Sequence, residues 1–299
     1  MPLEIVFLRT TTIHIAQTQS MKKLLAPLIA KCYGLLFNLY VLIAPNKTAE
    51  WAFHVFAKVR SGRVRPDQVV YLEDAKKEVV PVEGHQIQVY EWPGNKATVL
   101  LVHGWESNSW RWHKLIEKLQ AADFHILAFD APAHGHSSGT LLYVPLYAAV
   151  VQALMQRYQP KHTVGHSVGG MTLLYNEYKS PNAHLEKMVT IGSPSEFHEI
   201  MMHYQQLLGF NKLVMRTIDH YVKQRFGFYI REFSSRAFVK GNTKKGLLFH
   251  DRYDPIAPYH ASVDVQRHWE GSLLVTTEGF GHSMHQDQVN EKILDFLKD

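Results

Sequence analysis

From residue 98 onward, the sequence alternates short apolar runs with longer segments whose apolar residues recur at helical spacing. The run at 98–102 is continuous, as is typical of a strand that is buried on both faces of a parallel sheet. Further strands are predicted over 124–129, 188–191, 246–250 and 272–276. Because helical segments separate them, right-handed crossovers must place helices on both faces of the sheet. The alternation therefore predicts an α/β fold with a mostly parallel sheet.

The other elements follow from periodicity. Residues 79–82 and 86–90 alternate apolar and polar side chains around Glu83-Gly84, which predicts an antiparallel hairpin. Helices are predicted over about 110–120, 140–157, 261–269 and 287–297. We expect Pro145 to kink or interrupt the start of the second of these helices.

The length of 299 residues and the 46% hydrophobic content suit one large α/β domain with an insertion, or two small domains. Between residues 194 and 246, apolar residues recur at helical spacing without any strand-like run. We therefore predict a helical insertion over about 195–245. The expected organisation is an N-terminal segment with a linker over 1–66, followed by an α/β domain over 67–299.

The segment 24–44 is mostly apolar and follows Lys22 and Lys23, and Met21 is an alternative start of the protein. Its length and flanking charge are typical of a signal anchor or signal peptide, although Lys31 inside it is costly in a membrane. The alternative is an amphipathic helix that packs on the α/β domain or lies on a membrane surface. A cytoplasmic location is expected, with membrane association through 24–44 as the alternative.

The charge and the cysteine content argue against nucleic-acid binding and against cysteine-based sites. The formal net charge of +5 is modest, and the basic residues are spread along the chain, which argues against nucleic acid as a partner. Cys32 is the single cysteine, so neither an intramolecular disulfide nor a cysteine-based zinc site is available.

The pentapeptide Gly165-His166-Ser167-Val168-Gly169 lies between a short apolar run and a helix start that is rich in small residues. In the pattern G-x-S-x-G, the glycines let neighbouring backbone pass closely, and the serine occupies a strained strand-to-helix turn. This geometry exposes the hydroxyl group. The pattern also arises by chance in loops, so its surroundings decide whether Ser167 is a nucleophile.

Candidate partners for Ser167 follow later strands, where open α/β sheets place their ligands. Asp254 and His282 come after it in the chain, in the order nucleophile, acid, histidine. His282 would accept the serine proton, and Asp254 would orient and stabilise the imidazole. Asp251 is the competing acid and His285 the competing histidine. Asp254 is preferred because the Asp-Pro step leaves the strand, and His282 because Gly279 and Gly281 let its loop approach the sheet.

Acyl transfer also requires hydrogen-bond donors for the developing oxyanion. The turn after Ser167 offers the backbone N–H of Val168. His103-Gly104-Trp105 follows the strand at 98–102 and places the N–H of Trp105 in the expected position of the second donor. We predict that Val168 and Trp105 form the oxyanion hole.

From about residue 79 to the C-terminus, the chain resembles the α/β-hydrolase superfamily. The resemblance rests on five ordered motifs, which are Leu101-Val102-His103-Gly104-Trp105, 129–137, 165–170, Asp251-Arg252-Tyr253-Asp254-Pro255 and Gly281-His282. It implies a mostly parallel eight-stranded sheet flanked by helices, a Ser167-His282-Asp254 triad, an oxyanion hole from Trp105 and Val168, and a helical cap. It implies neither a metal nor an organic cofactor. Relatives that open halogenated carbons or epoxides carry an aspartate where this chain has Ser167, which disfavours those activities.

Several other polar residues were considered as metal ligands or catalytic groups. The histidines His134, His136, His162 and His166 could suggest a metal, but they fall on separate loops or within the motifs, so structural roles are favoured. Asp130 ends its strand, and we interpret it as a residue that fixes the turn near the site.

Two classes of function remain open. The first is a serine hydrolase that acts on a small-molecule ester, thioester or lipid-like acyl group, with acyl transfer and C–C bond hydrolysis as variants of the same machinery. The second is a binding protein that has kept the fold without catalysis, because a fold does not fix a function.

Overall fold

The structure is a computed structural model that describes residues 25–299. Residues 1–24, which include the alternative start Met21 and the beginning of the apolar segment, lie outside the described residues. The described chain forms two compact units. The larger contains Ala57–Phe197 and Phe233–Asp299, and the smaller combines 25–56 with His198–Glu232.

The larger unit is built on an eight-stranded sheet in the order β1-β2-β4-β3-β5-β6-β7-β8. Its first strands pair antiparallel with their neighbours, and all pairs from β4 to β8 are parallel. The expected mostly parallel sheet is thus confirmed. The strands are β1 Lys76–Val82, β2 His85–Trp92, β3 Thr98–Val102, β4 His125–Phe129, β5 His162–His166, β6 Lys187–Ile191, β7 Lys245–Asp251 and β8 Ser272–Thr277.

The hairpin between β1 and β2 forms where the alternation predicts it. Val82 pairs with His85, so Glu83 and Gly84 make a two-residue turn. Both have positive φ angles, 48° and 74°, as the tight turn between twisted antiparallel strands requires. Glycine accepts this conformation without steric cost at the second position.

The apolar side chains of the parallel strands alternate between two buried cores, one on each face of the sheet. In β3, Val99 and Leu101 enter one core, and Leu100 and Val102 enter the other. Since both faces are covered, β3 is a continuous apolar run from Val99 to Val102.

Helices cover both faces of the sheet in the larger unit. Pro145 lies in the first turn of α5, where its missing N–H costs no hydrogen bond, so the helix begins there and is not kinked. The sequence did not predict α3, whose short length gives weak periodicity. The helices are α3 Pro66–Glu73, α4 His113–Ala121, α5 Val144–Tyr158, α6 Val168–Lys179, α9 Ser235–Phe238, α10 His260–His268 and α11 Asp287–Lys298, with a 3₁₀ turn at Ser109–Trp112.

The smaller unit is helical. It contains the described helical residues 25–40, here called α1, and nearly all of α2 Pro45–Ala57, α7 Phe197–Leu208 and α8 Lys212–Phe226. Residues 25–56 therefore pack with part of the predicted insertion, a grouping that the sequence did not suggest. No helix within residues 25–299 is long and apolar enough to cross a membrane.

Candidate active site

Ser167 lies between the end of β5 and the first residue of α6. Its backbone angles are φ 54° and ψ −125°, a conformation that residues other than glycine rarely adopt. The turn is held because the Ser167 amide donates to the Ile191 carbonyl at 2.8 Å, while the Ser167 carbonyl accepts from the Gly170 amide at 3.0 Å. The strained strand-to-helix turn predicted from the pentapeptide is present.

Two glycines bring the loop after β3 against this turn. A Cβ atom on Gly169 would lie 2.3 Å from the Val102 carbonyl oxygen and 2.5 Å from that of His103. A Cβ atom on Gly104 would lie 3.1 Å from the Cβ atom of Ser167. Because a side chain at either position would collide with its neighbours, glycine is required for this close approach.

The side chains of Ser167, His282 and Asp254 form one chain of hydrogen bonds. The distance from Ser167 Oγ to His282 Nε2 is 3.0 Å, and that from His282 Nδ1 to Asp254 Oδ2 is 2.8 Å. The side chain of Asp254 is fully buried, while that of His282 is 17% exposed. The structure therefore brings together three residues that the sequence places 87 and 28 positions apart, in the geometry of an activated nucleophile.

Two opposing effects act on the Asp254 carboxyl group. Burial raises its pKa, but hydrogen bonds from His282 and from the amides of Ile256 and Ala257 outweigh this effect. The net pKa of Asp254 is lowered. The carboxylate is therefore ionised at neutral pH and able to stabilise a cationic imidazole.

Asp251, the competing acid, has different partners. It accepts hydrogen bonds from the Tyr253 amide at 3.0 Å, the Thr277 hydroxyl at 2.9 Å and the Phe280 amide at 2.7 Å. These contacts fix the turn after β7 and the loop that leads to His282.

The structure also places both expected oxyanion donors near the turn. Val168 is the first residue of α6, and the first N–H groups of a helix have no intrahelical acceptor. Trp105 directly follows Gly104, which packs against Ser167. The two predicted amides therefore belong to the two backbone segments that meet at Ser167.

Comparisons with known proteins identify the fold family. A family model for the alpha/beta hydrolase fold matches residues 97–210, and a model for TAP-like protein matches residues 231–299. A solved structure of Est1E from Butyrivibrio proteoclasticus with bound ferulic acid has a TM-score of 0.63 and 19% sequence identity, covering 74% of this chain and 98% of that chain. The chain belongs to the α/β-hydrolase superfamily.

Curated relatives match over a shorter stretch. A serine hydrolase-like protein from Danio rerio is 34% identical over 98 residues, which cover 30% of each chain. A pimeloyl-(acyl-carrier protein) methyl ester esterase from Vibrio vulnificus is 28% identical over 106 residues, covering 35% of this chain and 40% of that protein. The α/β-hydrolase chain thus spans less than half the length of the curated relatives it matches.

Asp130 organises the loops behind the site of this α/β-hydrolase. Its Oδ1 atom accepts from the amide and the hydroxyl of Ser109 at 2.9 and 2.8 Å. Its Oδ2 atom accepts from the His136 amide at 2.8 Å and the Tyr90 hydroxyl at 3.0 Å. The side chain is fully buried. The interpretation of Asp130 as a residue that fixes the turn is confirmed by these four bonds.

Buried histidines connect the same loops. His103 Nε2 accepts from the Ala131 amide at 2.9 Å, and His134 Nε2 accepts from the Glu106 amide at the same distance. Burial lowers the pKa of His103 to about 4 and that of His134 to about 3. Both rings are neutral at physiological pH and act as structural hydrogen-bonding groups.

The other histidines considered as metal ligands also have hydrogen-bond partners or positions that differ from one another. His166 Nε2 contacts the His282 carbonyl oxygen at 3.0 Å, and burial lowers the pKa of His166 well below its usual value. His136 Nδ1 lies 2.8 Å from the Tyr90 hydroxyl, whereas His162 is buried at the start of β5. Across the described part of the α/β-hydrolase, no group of three histidine, cysteine or acidic side chains could hold a metal.

Sequence reasoning missed Arg111. This buried guanidinium donates from Nη2 to the Ser283 carbonyl at 2.7 Å and lies 3.3 Å from His285 Nε2. Burial lowers its pKa to about 9. Arg111 thus holds the loop that carries His282, and His285 contacts Arg111 rather than Ser167. No local sequence pattern predicts this contact, because Arg111 and Ser283 are 172 positions apart in the chain.

Proposed function

We propose that this α/β-hydrolase is a serine hydrolase that cleaves a carboxylic ester or a related acyl bond through an acyl-enzyme on Ser167. The observation that carries the proposal is the continuous hydrogen-bonded chain from Ser167 Oγ through His282 to Asp254 at a strained turn. A serine hydroxyl is a weak nucleophile on its own, and this arrangement supplies the base that it needs.

In the first half-reaction, Ser167 Oγ attacks the carbonyl carbon of the ester while His282 Nε2 accepts the hydroxyl proton. Asp254 holds the proton of Nδ1 and stabilises the imidazolium that forms. When the tetrahedral intermediate collapses, the bond to the leaving oxygen breaks. His282 then gives its proton to that oxygen, which releases the alcohol and leaves the acyl group on Ser167.

The second half-reaction repeats these steps with water. His282 removes a proton from the water as the water oxygen attacks the acyl carbon. The bond to Ser167 Oγ then breaks, His282 returns the proton to Oγ, and the carboxylic acid leaves. In both halves, the Val168 and Trp105 amides donate to the oxyanion without reorganisation, since the backbone holds them in place.

The substrate class is a small-molecule ester. Its support comes from the names of the relatives, a methyl ester esterase among them, and from a serine at the position where other family members use aspartate. We further propose that the hydrolase domain covers 67–299, after an N-terminal segment over 1–66. The helical insertion at about 195–245, which joins β6 to β7, would act as its cap and select the acyl group. Action in the cytoplasm is part of the same proposal.

The proposal is tested with short p-nitrophenyl esters and a fluorophosphonate probe on the purified protein. We expect ester turnover and one covalent adduct, located at Ser167 by mass spectrometry. Ser167→Ala should remove both signals. Ser180→Ala, a substitution at the end of α6 away from the hydrogen-bonded chain, should keep both.

Folded protein that neither turns over esters nor reacts with the probe would refute the hydrolase and favour a binding role. Labelling without release of free acid, together with ester formation when an alcohol is added, would identify an acyltransferase.

A further inference from the structure

The described helical residues 25–40 carry an apolar stripe on the side that faces away from the rest of their unit. Its members follow i, i+3, i+4, i+7 spacing, so they share one side of the helix. All are exposed, with Leu28 at 62% and Leu39 at 58%. We call this surface the α1 stripe, and it consists of Leu25, Leu28, Ile29, Cys32, Leu35, Leu36 and Leu39.

The opposite side of α1 is fixed to its own unit. A Cβ atom on Gly34 would lie 2.0 Å from the Leu208 carbonyl oxygen, so the two helix backbones nearly touch. Asn38 accepts a hydrogen bond from the Asn211 amide at 2.7 Å, and Phe37 packs edge-on against Trp51 with ring centroids 4.8 Å apart. The helix is therefore anchored through its small, aromatic and amide side chains.

An ordinary surface helix turns an apolar side inward and a polar side outward, whereas α1 has apolar side chains on both sides. The stripe extends about 21 Å along the helix axis, from Leu25 to Leu39. Leu42 and Ile43 continue the apolar surface, at 72% and 84% exposure. An apolar surface this long and continuous marks an interaction site.

The charges of the smaller unit indicate what covers the stripe. Lys31 is the one charged residue within the described helical residues, and no acidic residue occurs from 25 to 49. The described residues of the smaller unit carry seven lysines and arginines against four aspartates and glutamates. Apolar side chains on a unit of net positive charge match the acyl chains and anionic headgroups of a lipid leaflet.

We propose that the α1 stripe inserts side-on into the headgroup and acyl boundary of an anionic membrane, so that the protein is bound to one leaflet. The anchored side of α1 remains on the protein, and only the stripe enters the lipid. A second copy of the chain is a poorer occupant because the stripe is aliphatic along most of its length. Protein interfaces rely instead on aromatic and arginine anchors with a polar rim.

The single cysteine provides a direct probe of insertion. Cys32 lies on the stripe, is exposed and is the one thiol in the sequence. An environment-sensitive dye on Cys32 should shift its emission to the blue when vesicles of equal parts phosphatidylcholine and phosphatidylglycerol are added. The matched control carries Cys32→Ser and Val70→Cys, which moves the dye to the exposed face of α3 in the larger unit and should give no shift.

Vesicle sedimentation of the full chain measures the binding itself. Leu35→Gln with Leu39→Gln should lower the partition constant about tenfold or more, because two leucines no longer enter lipid. Val70→Gln with Leu273→Gln, two equally exposed apolar positions in the larger unit, should leave it unchanged. Circular dichroism and thermal unfolding verify that each variant is folded, and neither depends on hydrolysis.

Failure of the wild-type protein to sediment with these vesicles would overturn the proposal. So would equal binding by the Leu35→Gln/Leu39→Gln variant, which would place the contact elsewhere, such as residues 1–24. Equal binding to phosphatidylcholine alone would refute the anionic preference. A stripe-dependent dimer in size-exclusion chromatography, without vesicle binding, would identify a second copy as the occupant.

Discussion

Around Ser167 the α/β-hydrolase buries polar side chains, whereas along the α1 stripe it exposes apolar ones. Asp130 and His103 are fully buried and bonded within the chain, while Leu28 and Ile43 are mostly exposed. Both regions depart from the general rule of apolar interiors and polar surfaces. The difference is that the buried polar groups find their partners inside the protein, while the stripe requires an outside partner.

This contrast predicts how each region responds to change. Substitutions among the buried polar groups should reduce activity or stability, because they leave neighbouring groups without partners. Substitutions on the stripe should spare both and remove an interaction with something else. Four measurements test the two regions separately.

The largest effect is expected for Asp254→Asn. The substitution favours the wrong tautomer of His282 and removes its stabilising charge, so kcat/KM for p-nitrophenyl esters should fall about ten-thousandfold. Asp251→Asn is the matched control at the end of β7 and should lower activity far less, since Asp251 bonds the turn rather than His282. A more damaging Asp251→Asn would show that the acid has been assigned to the wrong residue.

The second effect is structural. Asp130→Ala removes the acceptor of four hydrogen bonds, and we expect the free energy of unfolding to fall by about 3–5 kcal/mol. Urea denaturation measures this change. Asp67→Ala, which breaks an exposed ion pair with Arg65, should lower the free energy of unfolding far less, because water and salt screen exposed charges. Similar losses for the two variants would mean that the buried network contributes little.

The third effect is a pH dependence of stability. In the folded state the pKa values of His103 and His134 lie near 4 and 3, below the usual 6.5. Between pH 6.5 and 4 the unfolded chain therefore binds more protons, and stability falls as the pH falls. Each ring contributes up to about 1.4 kcal/mol per pH unit.

Urea unfolding across this pH range measures the slope. His134→Gln should reduce the slope, while His268→Gln, at an exposed position in α10, should not. A flat profile from pH 6.5 to 4 would contradict the neutral, buried state of these rings.

The smallest effect is expected on the stripe. Leu35→Gln should change the free energy of unfolding by no more than about 0.5 kcal/mol, because its side chain is 60% exposed. Hydrolysis of a short soluble ester should also be retained. A large loss of stability would show that the stripe is covered within the protein itself, and would remove the contrast between the two regions.

Much of the sheet was predictable because its signals are local. A strand that is buried on both faces is mostly apolar, as β3 is from Val99 to Val102, and a two-residue hairpin favours glycine, as at Gly84. The short helix α3 was missed because eight residues make too few turns to establish a period.

The candidate site was predictable in part for a similar reason. The turn at Ser167 requires glycine two residues before and two residues after the serine. The order of Ser167, Asp254 and His282 along the chain follows from the order of the strands that precede them. Among the supporting groups, Asp130 was predicted to fix a turn near the site, but Arg111 was not predicted. Arg111 supports the loop of His282 from a distant part of the chain, and no spacing rule connects them.

By itself, the sequence determined the alternating strands and helices and the candidate nucleophile, since periodicity and steric demand act over a few residues. Only the tertiary structure decided that Asp254 contacts His282 while Asp251 bonds the turn, and that the α1 stripe faces outward while Phe37 is buried. The physical reason is that burial and hydrogen-bond partners depend on contacts between distant segments, such as Gly34 against Leu208, which leave no local trace in the chain.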